Sequence, residues 1–325
     1  MSLIGRLLKA NPSAQVSSML TGSFTIPSAK GVFDNSLANR GMLFGGVSAA
    51  TSARTQDIEY INIASSSNGV DFGNLTSATN QLAACGSSTR SLCAGGEANN
   101  VLTNVIEYVT PATTGNATDF GDLSVTRRIV RGCSNETRGI WVAGYDGSTG
   151  INVIDYVTIA STGNATDFGD LTSAGYGVSS TASTTRAVFF GGAQRDSTID
   201  YVTIATTGNA TSFGSASTAR QDSAPVSSNT RGVFAGGYGP PDLSSIDYIT
   251  IATTGNSLNF GSLTGVNNAP DGASNKITGL IMGGSTTASR IDAITIATTG
   301  NATVFGTLFN ARYAAGGTSN CHGGL

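Results

Sequence analysis

Residues 231–263 read RGVFAGGYGPPDLSSIDYITIATTGNSLNFGSL, and this stretch decides the fold. Arg231–Gly237 is a short apolar run stopped by a glycine pair, which predicts a strand ending in a turn. Ile246–Ala252 is rich in β-branched and aromatic residues, with Ile246, Tyr248, Thr250 and Ala252 on one face and Asp247, Ile249 and Ile251 on the other. Apolar residues on both faces predict a strand covered on both sides. Thr254-Gly255-Asn256 suits a tight hairpin with positive φ, and a further strand carrying Phe260 and Leu263 follows it. Upstream, Gln221–Ser228 reads as a weak first strand of mostly small residues. The unit is four strands and no helix.

The same unit recurs along the chain. Phe-Gly appears at Phe72, Phe120, Phe168, Phe213, Phe260 and Phe305, at intervals of 48, 48, 45, 47 and 45 residues. Isoleucine followed by an acid recurs in step at Glu59, Glu107, Asp155, Asp200, Asp247 and Asp292. The apolar run before the glycine pair opens on Arg40, Arg90, Arg138, Arg186 and Arg231, with Thr278 in the sixth copy. Three markers in one order, six times over, give six repeats of about 47 residues. Four-stranded units of this period predict an all-β fold, a six-bladed β-propeller of four-stranded antiparallel blades. A β-helix would have a shorter period, and a helical solenoid a 3.6-residue periodicity. Small residues in the first strand fit the crowded centre of such a ring.

The order of marks resembles the kelch family: a glycine doublet, a hydrophobic-acidic-x-Tyr strand, an aromatic residue and an arginine before the next unit. The doublets are Gly45-Gly46, Gly95-Gly96, Gly191-Gly192, Gly236-Gly237 and Gly283-Gly284, with Ala143-Gly144 in the remaining repeat. The acid–aromatic pairs run from Glu59/Tyr60 to Asp247/Tyr248, and Asp292/Ala293 departs. Phenylalanine stands where the family carries tryptophan. The family's arginine is matched at Arg128, Arg220 and Arg312 and missing near Thr79, Gly175 and Val266. The resemblance covers residues 40–325 and implies a fold; kelch propellers serve many functions. The wording of the repeat is also similar to repeat proteins of tailed bacteriophages, especially marine ones, which are virion structural components. That likeness implies a virion location, made in the host cytoplasm, with other virion proteins as partners and a homo-oligomeric arrangement within the particle.

Two segments flank the repeats. Ala311–Asn320 matches the first-strand segment but no repeat follows it, so it is expected to complete the blade built from residues 40–75 and hide its edges. Ser28-Ala29-Lys30 is the rival for that place. Residues 1–39 form an N-terminal arm and lead-in, with Leu3, Ile4, Leu7 and Leu8 at helical spacing over 2–10. The apolar stretch is too short and too broken for a signal peptide, and these four residues are expected to anchor the arm on a neighbouring subunit.

Composition bounds the chemistry. The chain carries 17 Lys+Arg and 20 Asp+Glu, a net charge of −3, which argues against nucleic acid as a partner. No apolar run is long enough to span a membrane. One histidine, His322, nearly excludes histidine catalysis and multi-histidine metal sites, including the ligand set of the kelch-like copper radical oxidases. No enzyme, cofactor or metal is expected. His322 reads as a substitution in a structural turn. Cys85, Cys93, Cys133 and Cys321 read as small core residues more readily than as a disulfide framework.

Regularly repeated arginines and acids are expected to be structural, the arginines bonding carbonyls of the next blade and the acids supporting an adjoining loop. Asymmetry marks better recognition candidates in the loops after the glycine pairs: Tyr145, Asp146, Arg195, Asp196, Tyr238 and Asp242, with Glu97–Asn100 beside them. These loops are expected to meet a host surface glycan or receptor. A lectin-like propeller outside any particle is the alternative.

Overall fold

The computed structural model describes residues 39–195 and 197–325. The anchor residues Leu3, Ile4, Leu7 and Leu8, the helix over 2–10, the lead-in Ser28-Ala29-Lys30 and Asp196 lie outside the described residues. The described chain is all-β and propeller-like, with six four-stranded antiparallel sheets and two small ones.

Each large sheet runs in chain order from a first to a fourth strand. The fifth is typical: Ala224–Ser227, Arg231–Ala235, Ser245–Thr250 and Leu258–Ser262. The first sheet draws its first strand from the far end of the chain. Gly316–Ser319 pairs with Arg40–Phe44 in the register Gly41–Ser319 to Phe44–Gly316. In all six sheets the register slips after the third-strand isoleucine, or the strands bulge at that point, as between Ile246 and Asp247 in the fifth. The bulge lets the acid turn inward while the fourth strand keeps its pairing.

Both faces of each sheet are covered by its neighbours. In the fourth sheet Ala187 and Phe189 pack toward the third sheet, with Ile140 and Val142, while Val188 and Phe190 pack toward the fifth. Phe190 stacks on Phe234 with centroids 4.2 Å apart. The sixth sheet packs back on the first, where Leu280, Met282 and Ile291 meet Leu43, Ile61 and Ile63. This alternation explains why the second strands are apolar at every position after the first.

The fourth strands are joined by a repeated clip. Each Gly-Asn turn lies along the fourth strand of the preceding repeat: Gly255 N donates to Phe213 O, and Ser215 N donates to Asn256 Oδ1. The clip recurs at Asn116, Asn164, Asn209 and Asn301, and Thr307 N donates to Asn68 Oδ1 across 239 positions of sequence. The asparagines are not among the residues with positive φ, so their role is this clip rather than the tight hairpin expected of them. It also accounts for the glycine after each phenylalanine. A Cβ on Gly214 would stand 2.2 Å from Gly255 O.

Near the start of each first strand one residue takes positive φ: Gln81, Ile129, Gly177, Asp222, Ala269 and Ala314, between 51° and 64°. Their peptide groups hydrogen-bond from one repeat to another. Ile129 N donates to Gln81 O, Gly177 N to Ile129 O, Asp222 N to Gly177 O, and Gln81 N to Ala314 O. Only one of the six is glycine, so this chain of bonds holds five side-chain-bearing residues, Ile129 included, in a disfavoured conformation.

Candidate functional site

The acids lie between the second and fourth strands and are buried. Asp247 accepts from Arg220 at 2.8 Å and from Ser217 Oγ at 2.8 Å, so it supports the loop leaving the preceding fourth strand, as expected. Arg220 also donates to Gly236 O and Ser245 O, the carbonyls flanking the glycine-pair turn. Arg312 does the same in the first sheet, reaching Gly45 O, Asp57 O and Glu59. In the third sheet the residue in this place is Arg127, 2.9 Å from Asp155, with both side chains fully buried. Arg128, matched from sequence, points instead to the surface. Burial pulls the Arg127 guanidinium down to about 10, with Asp155 opposing that shift. In the sixth sheet the lead-in place belongs to Asn267, which donates to Gly283 O, rather than to Val266.

Arg195 departs from the expectation of an outward loop residue. It is 2% exposed and donates to Gly191 O, Ser173 O and Asp200. A Cβ on Gly175 would lie 2.6 Å from Arg195 Cγ, so glycine at the lead-in position admits an arginine arriving from the loop. Arg195 is therefore the fourth sheet's buried guanidinium.

The arginines that open the second strands form a separate layer, at the opposite end of the sheets. Arg231 lies over Tyr248, 4.3 Å from its centroid, and Tyr248 meets Phe260 edge-on at 6.0 Å. Its Nη1 donates to Ile296 O and Ala297 O of the next repeat. Arg40, Arg90, Arg138 and Arg186 repeat both contacts. The sixth repeat loses both partners together, with Thr278 for arginine and Ala293 for tyrosine. The expectation of carbonyl bonds to the next repeat holds.

The asymmetric groups lie on the glycine-pair side. Arg54 and Arg128 both pair with Glu97, and Arg54 also bonds Asn80 and Asn100. Arg128 stands over the Tyr145 ring at 5.4 Å, and Tyr145 meets Tyr176 edge-on at 5.6 Å. A continuous half-exposed band thus crosses four repeats as Arg54, Glu97, Arg128, Tyr145 and Tyr176. Tyr145 and Glu97 were visible as candidates; the other three were not, because Arg54 and Tyr176 sit outside the repeat markers and Arg128 mimics one. Asp146 accepts from the N–H groups of Ser148 and Thr149, which hold its carboxyl below the ordinary range. Tyr238 is 40% exposed and bridges to Gln221 and Asp242, and Asp242 accepts from the Thr286 hydroxyl.

The six first strands border a central opening of about 50 Å³, lined by small residues such as Ala84, Gly132, Ser180 and Ala273. One end is covered by the C-terminal residues. His322 Nε2 lies 3.1 Å from Ser134 Oγ and 3.0 Å from Gly86 O, and burial lowers its pKa. The histidine is thus more than a turn substitution, since it ties the C-terminus to the second and third sheets. At the other end Arg131 pairs with Asp222 at 3.2 Å, and burial pushes the nearby Asp271 up to about 6. All four cysteines are free thiols. Among the described residues no three His, Cys, Asp or Glu side chains gather as a metal site, and no helix is long and apolar enough to cross a membrane.

No protein-family model matches the chain, and no curated protein matches it.

Proposed function

We propose that the chain is a six-bladed kelch-like β-propeller acting as a non-enzymatic structural component of a tailed-phage particle, tail-associated or an external appendage, attached through its N-terminal arm. One observation carries the scaffold reading: the polar groups that recur in every repeat hold neighbouring repeats together, and the clips extend from the last repeat to the first through Asn68 and Thr307. The buried acids grip arginines or loop amides, an arrangement suited to rigidity rather than proton transfer. The virion assignment draws on the wording of the repeat. Outward loops, led by the Arg54–Tyr176 band, are the surface offered to a host glycan or receptor.

The band also favours a second reading, a carbohydrate-binding propeller outside any particle, since tyrosine faces beside arginine and asparagine suit sugar hydroxyls. Deleting residues 1–27 separates the two. A virion component loses incorporation into particles while its repeats stay folded; a free lectin keeps its glycan binding and has no particle to leave.

A further inference from the structure

Five of the six third-strand acids have an arginine: Glu59 with Arg312, Asp155 with Arg127, Asp200 with Arg195, Asp247 with Arg220 and Asp292 with Arg290. Glu107 of the second sheet has none among the described residues. Its lead-in position is Thr79, whose hydroxyl donates to Ser77 O and falls short of the acid. Glu107 is 6% exposed; Oε1 accepts from Thr76 N at 2.9 Å, and Oε2 has no partner among the described residues. A cavity of about 70 Å³ opens beside it, lined by Thr79, Gly95, Val105 and Glu107. Gly95 and Val105 correspond to Gly236 and Ser245, whose carbonyls receive the Arg220 guanidinium, and to Gly45 and Asp57 around Arg312. The second sheet thus keeps the acceptors of a guanidinium site and lacks the guanidinium.

We propose that this cavity binds an alkylguanidinium cation supplied from outside the sheet, either an arginine side chain or a small guanidinium compound. Around Arg220 and Arg312 a carboxylate and two carbonyls receive the guanidinium fork, whereas an ammonium would act in such a set only as a point charge. A guanidinium seated there would give Glu107 the charge-assisted bonds that the other five acids already have. The cavity exceeds the room one water needs.

The test titrates the full-length protein with methylguanidinium by calorimetry, with methylammonium at equal ionic strength as the control and N-acetylarginine amide as the side-chain mimic. Saturable methylguanidinium binding is expected, with methylammonium at least about tenfold weaker. Binding of the arginine mimic as well identifies a protein arginine as the natural occupant; its exclusion identifies a small compound. Thr79→Arg supplies the guanidinium internally and Glu107→Gln removes the charge, and each should weaken methylguanidinium binding at least about tenfold, a difference of 1.4 kcal/mol or more. Thr79→Arg should also raise Tm. Absence of saturable binding, equal affinity for methylammonium, or unchanged affinity in folded Glu107→Gln overturns the proposal, even if Thr79→Arg fails to fold.

Discussion

Replacing Arg312 by methionine leaves Glu59 buried without its partner. The two side chains are 1% and 3% exposed and 2.7 Å apart, and Arg312 also donates to Gly45 O and Asp57 O. Removing one member of a buried pair costs about 3–5 kcal/mol. For a chain of this length 1 kcal/mol moves Tm by about 1.5 °C, so a fall of about 4–8 °C is expected. The loss should depend on pH. Burial already raises Glu59 above its ordinary 4.5, with Arg312 as the foremost opposing influence, so the carboxyl climbs further in the variant. A folded pKa above the unfolded one lowers stability as pH rises between the two. The deficit of Arg312→Met against wild type is therefore larger at pH 8 than at pH 5, and Glu59→Gln in the same chain reduces this difference. Calorimetric melts at the two pH values measure it, with the single tryptophan, fully buried Trp141 in the third sheet, as a probe remote from the change. A loss below about 1 kcal/mol, or one insensitive to pH, would refute the reasoning.

Two further outcomes are expected. Burial pushes Cys133 and Cys321 up to about 12 and Cys85 and Cys93 well above the ordinary thiol range, so a thiol reagent at pH 8 should modify none of the four in the native protein and all four after unfolding; rapid native reaction would contradict this. Asp271, raised to about 6 from 3.8 by burial, with Arg131 opposing and Asp222 reinforcing the shift, makes the wild type lose stability as pH rises through that window. Asp271→Asn should therefore gain on wild type by about 2–3 kcal/mol between pH 4 and pH 7.5 in denaturant titrations, and a constant difference would count against it.

The repeat markers made the sheets legible because each marks a local necessity: a glycine pair for a turn, a β-branched run for a strand covered on both faces. Contacts between repeats left fainter signs. The asparagine of each Gly-Asn turn resembles hairpin chemistry because its acceptor role lies on another repeat. Arg127 and Arg128 are adjacent, and sequence alone does not tell which one turns inward. Arg195 was hidden by its arrival from a loop, and only the unexplained Gly175 hinted at a space filled from elsewhere. The joint loss of arginine at Thr278 and tyrosine at Ala293 could have been read as one event, since the two side chains stack in the other five repeats. The charged and aromatic band was half legible, because its members belong to different repeats and meet only when these stand side by side.

The central claim is a place in a phage particle, and quantitative mass spectrometry of purified virions tests it most directly. The account predicts this chain among the virion proteins, at a fixed copy number relative to the tail proteins and retained through density-gradient purification. Its absence from purified particles, with the protein abundant in the lysate, would contradict the account.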